Sequence, residues 1–194
     1  MKRKIFREDI IKAGRDLMFV NGYYATGIKE ITSSVNIPKG SFYNHFSNKE
    51  EFGLEVLKDY SLSGLEYLKN VLITSGGSPL KRLDVFYSGI IEYQNNIAKC
   101  KLGCIMGNFS LELGDVNEAF REVLDEEFNE YEAIFTECLK EAQEKEEIRK
   151  DLDVDLLGAF LLNSWHGALL RMKSTGTTKP LEDFKTFVFQ QLSN

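Results

Sequence analysis

The chain has 194 residues, with 24 basic against 30 acidic side chains and a net charge of −6. That length can bury a sizeable core and hold one small reader beside a larger domain. No apolar run reaches the ~18 residues that span a bilayer and no signal-peptide pattern opens the sequence, while three cysteines (Cys100, Cys104, Cys138) are too few for a disulfide scaffold and point to a reducing, cytoplasmic setting.

An acidic balance argues against nucleic-acid binding, but the charge is uneven. Residues 1–46 carry eight basic groups against four acidic ones, a local +4, and the remainder carries −10. A basic head on an acidic body attracts phosphate at one end and repels non-specific wrapping at the other. Met1-Lys-Arg-Lys4 reads as a basic arm. Helical periodicity dominates with no alternating strand pattern, so the expected fold is all-α.

The first helix is predicted over Arg7–Val20, with Ile10, Gly14, Leu17 and Met18 on one face and Asn21-Gly22 as its stop. Thr26 reads as the N-cap of a second helix ending near Val35, and Pro38 suits the first turn of a third. Lys49 opens a long fourth helix reaching about Thr74, carrying Phe52, Val56, Leu65, Leu68 and Leu72; Ser75-Gly-Gly-Ser-Pro79 breaks the chain after it. Further helices are predicted at about 80–98, 103–113, 116–146, 153–174 and 180–192. In the 116–146 segment, Phe120, Leu124, Phe128, Tyr131, Phe135, Cys138 and Ala142 recur at helical spacing, and the charges from Glu141 to Glu147 read as a solvated face.

The order short helix, tight turn, short helix is that of a helix-turn-helix, whose second helix enters the DNA major groove. The fragments that carry it are Phe19-Val-Asn-Gly-Tyr-Tyr, Ile28-Lys-Glu-Ile, Lys39-Gly-Ser-Phe-Tyr-Asn-His-Phe and Lys49-Glu-Glu-Phe. This unbroken series over about the first 55 residues resembles the DNA-binding domain of TetR-type regulators. The resemblance implies a DNA-binding domain over residues 1–50 and an effector-sensing and dimerisation domain over 51–194.

Phosphate contacts fix register and base contacts read sequence. The phosphate candidates are Thr26 and Lys49 at helix N-termini, with Tyr43 and His45 by their polar tips. On the third helix, Lys39 suits guanine O6/N7, Ser41 and Asn44 suit nearby base edges, and Gly40 allows close backbone approach. Each has a plainer role open to it: Tyr43 covering a core, His45 capping a helix, Lys49 an ordinary surface lysine. In the resembling family the positions matching Thr26, Lys39, Gly40, Ser41, Tyr43, His45 and Lys49 face DNA, and Phe42 and Phe46 pack inward.

The last two helices are apolar on more than one side, which calls for two partners. One is the chain's own core. For the other, Leu157, Phe160, Leu161, Phe184, Phe187 and Val188 are the candidates for a homodimer bundle, the arrangement the resemblance implies; the alternative is helices fully buried within the monomer. Phe86, Tyr87, Tyr93, Met106, Asn108, Phe135, Trp165 and His166 supply aromatics and polar tips for a small-molecule pocket, or plain core.

Cys100-Lys-Leu-Gly-Cys104-Ile-Met-Gly-Asn-Phe-Ser-Leu-Glu and Trp165-His-Gly-Ala-Leu-Leu-Arg-Met-Lys173 resemble the branch of repressors that control N-ethylmaleimide reductase genes. That resemblance implies electrophile or oxidant sensing at Cys104 with Lys173 as a neighbour. Independently, a cysteine after Gly103 at a helix start, with Lys99 and Lys101 close before it in sequence, favours thiolate; the alternative is an inert, buried thiol. No cofactor is implied, and Cys100, Cys104, Cys138 and His166 lack the spacing of a zinc site. The partners expected are double-stranded operator DNA, a second copy of the chain and a small-molecule or electrophilic effector, with no membrane. No catalytic constellation is present, which disfavours an enzyme. An activator or architectural DNA binder without an inducer pocket is the other reading.

Overall fold

The computed structural model describes residues 5–192, and the basic arm Met1-Lys-Arg-Lys4 lies outside them. Among these residues the only regular structure is helical. The helices are α1 (Arg7–Asn21), α2 (Ile28–Ser34), α3 (Lys39–Phe42), α4 (Lys49–Lys69), α5 (Pro79–Tyr93), α6 (Ile105–Leu113), α7 (Glu118–Glu144), α8 (Val154–Thr175) and α9 (Lys179–Leu192). A wider π-helical turn continues α4 over Asn70–Thr74 and α5 over Gln94–Ala98.

Local chemistry sets the ends. Gly22 stops α1 at φ +86°, ψ 173°, a region open essentially to glycine, and its N–H donates to Met18 O at 2.9 Å. Asn36 makes the turn between α2 and α3 at φ +57°; asparagine enters this left-handed region more readily than other non-glycine residues. Ser78 caps α5, with Pro79 in its first turn, and Asp153 caps α8 by accepting the N–H of Asp155 and Leu156.

The chain divides into two compact packing units. One takes Met1–Ser63 and Cys104–Glu127; the other takes Gly64–Gly103 and Phe128–Asn194. The sequence-based division at residue 50 therefore differs from the packing, which groups α6 and the start of α7 with α1–α3. The reason is specific contact: the Tyr23 ring lies edge-on to Phe109 of α6 and Phe120 of α7, at 5.8 and 5.3 Å between centroids.

In the second unit α5, α7, α8 and α9 enclose Phe86, Tyr87, Phe135, Trp165 and Phe184. The run Glu141–Glu147, expected as a solvated face, is partly structural. Glu141 pairs with the buried Arg82, and Glu147 accepts the N–H of Leu80 at 3.0 Å. Arg82 also donates toward the carbonyls of Ile73 and Ser75, which satisfies the end of the π-helical turn. Such a buried arginine is retained only because it is paired.

Candidate nucleic-acid interface and effector residues

The α3 helix is short, and its orientation is fixed from beneath. Phe42 and Phe46 are wholly buried, with ring centroids 5.1 Å apart, and both meet Phe52 of α4 at 5.1 and 4.8 Å. With those rings inward, α3 and the turn after it present Lys39, Gly40 and Asn44 to solvent, Tyr43 at 50 % exposure, and Ser41 and His45 half-buried. A Cβ added at Gly40 would meet nothing within 4 Å. Glycine there is not required by the chain's own packing.

Two expected phosphate contacts behave differently. Thr26 is fully buried and does not cap α2, whose N-cap is Gly27. Its hydroxyl donates to Gly22 O at 2.8 Å and its N–H to Tyr23 O at 3.3 Å. Both donors are used inside the turn, so Thr26 offers none to a phosphate in this state. Threonine hydroxyls suit caps and backward bonds to the chain alike, and here the second use wins.

Lys49 is half-buried. Its Nζ donates to Tyr23 O at 2.7 Å, approaches Tyr24 O at 3.5 Å, and lies 4.4 Å from the Tyr23 ring centroid. Burial lowers the ammonium pKa below its ordinary value, with Glu112 acting in the opposite sense. Tyr23 shows the matching effect: burial, with Glu50 and Tyr24 adding, pushes its phenol up to about 12. Lys49 thus ties down the turn after α1 from the start of α4.

Sequence reasoning missed the opposing group. Glu112, in the last turn of α6, accepts the N–H of Tyr23 on Oε1 at 3.1 Å and of Tyr24 on Oε2 at 2.9 Å. The signal available was the one charged side chain on α6, which names no partner.

Of the effector candidates, Phe86, Tyr87, Phe135 and Trp165 come together in the second unit, Tyr87 lying 5.2 Å from Phe86 and 4.8 Å from Trp165 between ring centroids. The Tyr87 hydroxyl is buried and, among the described residues, has no hydrogen-bond partner; burial raises its pKa far above normal. His166 turns Nδ1 to Leu162 O at 2.9 Å and sets its ring edge-on to Phe128, whereas Tyr93 and Lys173 are exposed at helix ends. Met106 is buried in the first unit, where Asn108 is half-buried. A groove of about 590 Å³ between α5 and α9 is lined by Asp84, Ser88, Lys185, Thr186 and Phe189, none of them an effector candidate.

Cys104 is the half-buried N-cap residue of α6. Cys100 and Cys138 are buried, and burial pushes the Cys138 thiol up to about 11. On α8 and α9 the dimer candidates split. Phe160 (47 % exposed) and Phe187 (56 %) face outward and Leu157 is half-buried. Leu161 and Val188 are buried in the chain's own core, and Phe184 packs on Tyr87 and Trp165 at 5.2 and 5.3 Å. These three are core contacts rather than an outward face. Leu156 and Leu170 of α8 are exposed as well.

Residues 10–56 match the family described as bacterial regulatory proteins, tetR family, and residues 79–188 match the tetracyclin repressor-like C-terminal domain, more than half of the chain. The HTH-type transcriptional repressor DhaR of Mycobacterium sp. is 36% identical over 99% of this chain and 94% of that protein. The chain belongs to the TetR family.

As a TetR-family chain it is also 31% identical to the transcriptional regulator AcuR of Cereibacter sphaeroides, over 93% of this chain and 82% of that protein. The regulatory protein TetR from Rhodobacter sphaeroides superposes with a TM-score of 0.89 at 29% identity, covering 95% of this chain and 97% of that structure. The N-ethylmaleimide reductase branch expected from the sequence is more distant. NemR of Escherichia coli is 25% identical over 91% of this chain and 88% of that protein, so DhaR and AcuR both stand nearer. The all-α fold with an N-terminal helix-turn-helix is that of the family.

Proposed function

We propose that the chain is a repressor that binds a near-palindromic operator as a homodimer and releases it when an effector acts on the body of the protein. The observation that carries the DNA reading is Gly40. It stands on the outward side of a helix whose inward side is locked by Phe42, Phe46 and Phe52, and nothing in the chain needs it to be glycine. A surface that keeps room for a close backbone approach fits a groove wall, with Lys39, Ser41, Tyr43, Asn44 and His45 around it. Thr26 then supports the turn instead of touching phosphate, and Lys49 supports it from the other side.

The dimer reading rests on Leu156, Phe160, Leu170 and Phe187, large apolar side chains exposed on α8 and α9. A four-helix bundle would cover them. TetR-family regulators bind operator DNA and act as dimers, and DhaR and NemR are named as repressors.

For release, the thiol of Cys104 is the sensor we favour. It is the most accessible of the three cysteines and stands at the positive end of the α6 dipole, which favours thiolate. With a maleimide, the thiolate adds to the C=C bond: an S–C bond forms, the π bond breaks, and the adjacent carbon takes up a proton equivalent to the one the thiol gave up. A second reading, a reversibly bound small molecule, is favoured by the hydroxyl of Tyr87, which inside the aromatic cluster has no hydrogen-bond partner among the described residues. Fluorescence anisotropy on a duplex selected from a random pool tests both. Wild type treated with N-ethylmaleimide is expected to release the duplex and Cys104→Ser to keep it. Release of both proteins alike would remove Cys104 and leave the reversible ligand.

A further inference from the structure

The residue Tyr23 is held from both sides of its backbone. Glu112 accepts its N–H and that of Tyr24, while Lys49 donates to its carbonyl at 2.7 Å. Beneath it, Phe109 and Phe120 fix the ring, and the Lys49 ammonium lies over the ring. The turn so held, residues 22–27, is the only covalent link between α1 and α2, and α2 in turn packs on α3. All these groups lie in one packing unit.

We infer that Glu112 is a positioning residue for DNA reading: its carboxylate ties α6 to the turn that sets α2 and α3, so the place of α6 decides where the recognition helix points. A carboxylate bonded to two adjacent backbone N–H groups is a charge-assisted pair, stronger than neutral bonds and strict in direction. Moving α6 forces a choice. Either the turn follows Glu112, or the part-buried N–H of Tyr23 and the exposed N–H of Tyr24 lose their acceptor. The chain at Gly22 is built for the close approach, because a Cβ there would lie 2.4 Å from Glu112 Oε1. The next link, Asn117 donating to Glu50 at 2.9 Å, fastens the far side of the same segment to α4. Cys104 caps the opposite end of α6, so the helix joins the proposed sensor to the clamp.

The DNA arm of this inference rests on the operator reading above, and the exchange arm does not. The full-length protein and Glu112→Gln are compared by amide hydrogen exchange and by titration of a duplex selected by the wild type from a random pool. Glutamine keeps the size but offers one acceptor oxygen in place of two. Exchange at Tyr23 and Tyr24 is expected to speed up at least tenfold, with the interior amides of α1 unchanged. The dissociation constant is expected to rise about tenfold, with both proteins folded by circular dichroism and equally active in a stoichiometric titration. A carboxylate serving only global stability would leave that constant unmoved in a fully folded sample. Unchanged exchange at Tyr23 and Tyr24, or an unchanged dissociation constant beside faster exchange, overturns the inference. Failure of the wild type to select any duplex sinks the operator reading, and with it Glu112's part in reading DNA; the exchange result then decides whether the clamp exists.

Discussion

Replacing Gly22 by alanine tests the turn that carries the recognition helices. Two costs are separable. The backbone at φ +86°, ψ 173° lies in a region that residues with a Cβ avoid, at about 2 kcal/mol. The new methyl would also stand 2.4 Å from Glu112 Oε1. The carboxylate is a flexible end and can move aside, but moving forfeits its bonds to Tyr23 and Tyr24, a further ~2 kcal/mol for a charged acceptor. Gly22→Ala should therefore destabilise by about 4 kcal/mol, large against typical stabilities of about 5–15 kcal/mol. Glu112→Ala removes only the second part, about 2 kcal/mol. The double variant loses those bonds once, so it should cost about 4 rather than about 6 kcal/mol, a coupling of about 2 kcal/mol. Equilibrium urea unfolding at one fixed protein concentration measures all three, since dimerisation makes apparent stability depend on concentration. Strict additivity would refute the reasoning, because it would mean that the methyl and the carboxylate do not compete for the same space.

Gly40→Ala should leave stability unchanged or raise it by about 0.5 kcal/mol, while weakening operator binding in a gel shift. In the native protein, N-ethylmaleimide should modify Cys104 and spare Cys100 and Cys138, as read by mass spectrometry of peptides; the raised pKa of Cys138 keeps it a thiol until about pH 11. Phe160→Glu with Phe187→Glu should give a monomer in analytical ultracentrifugation, whereas Leu161→Ala should cost about 2–5 kcal/mol of stability through a core cavity. Asp84 has its pKa lowered, first by the hydrogen bond from Lys185. Its contribution to stability is thus present above the ordinary aspartate pKa and is lost as pH falls through the lowered one. Lys185→Met should flatten that acid-side loss in thermal melts taken as a function of pH.

Much of the fold was legible because apolar spacing writes helices directly. Phe52, Val56, Leu65, Leu68 and Leu72 mark α4 and its π-helical continuation, and all five are buried. The helix-turn-helix was legible from its punctuation, Asn21-Gly22 before it and Pro38 within it. What stayed hidden is of one kind, the choice between two physically equivalent uses of a residue. Thr26 could cap forward or bond backward, and only the closed turn shows that it bonds to Gly22. Leu161, Phe184 and Val188 share helices with Phe160 and Phe187, and two-sided apolarity does not say which side turns inward. Glu112 is 88 residues from Tyr24 in the chain, and no local pattern announces a contact of that span. The same holds for Arg82 and Glu141, which composition assigns to solvent and packing joins.

The central claim is that two copies of a basic helix-turn-helix, related by a two-fold axis, read duplex DNA. Selection of duplexes from a random pool by the purified full-length protein, with the mass of the complex measured in solution, tests it most directly. The account predicts enriched near-palindromes whose half-sites lie about one helical turn apart, two protomers on each duplex, and affinity that falls steeply with salt. A monomer on the duplex, or a pool that shows no enrichment at low ionic strength, would contradict it.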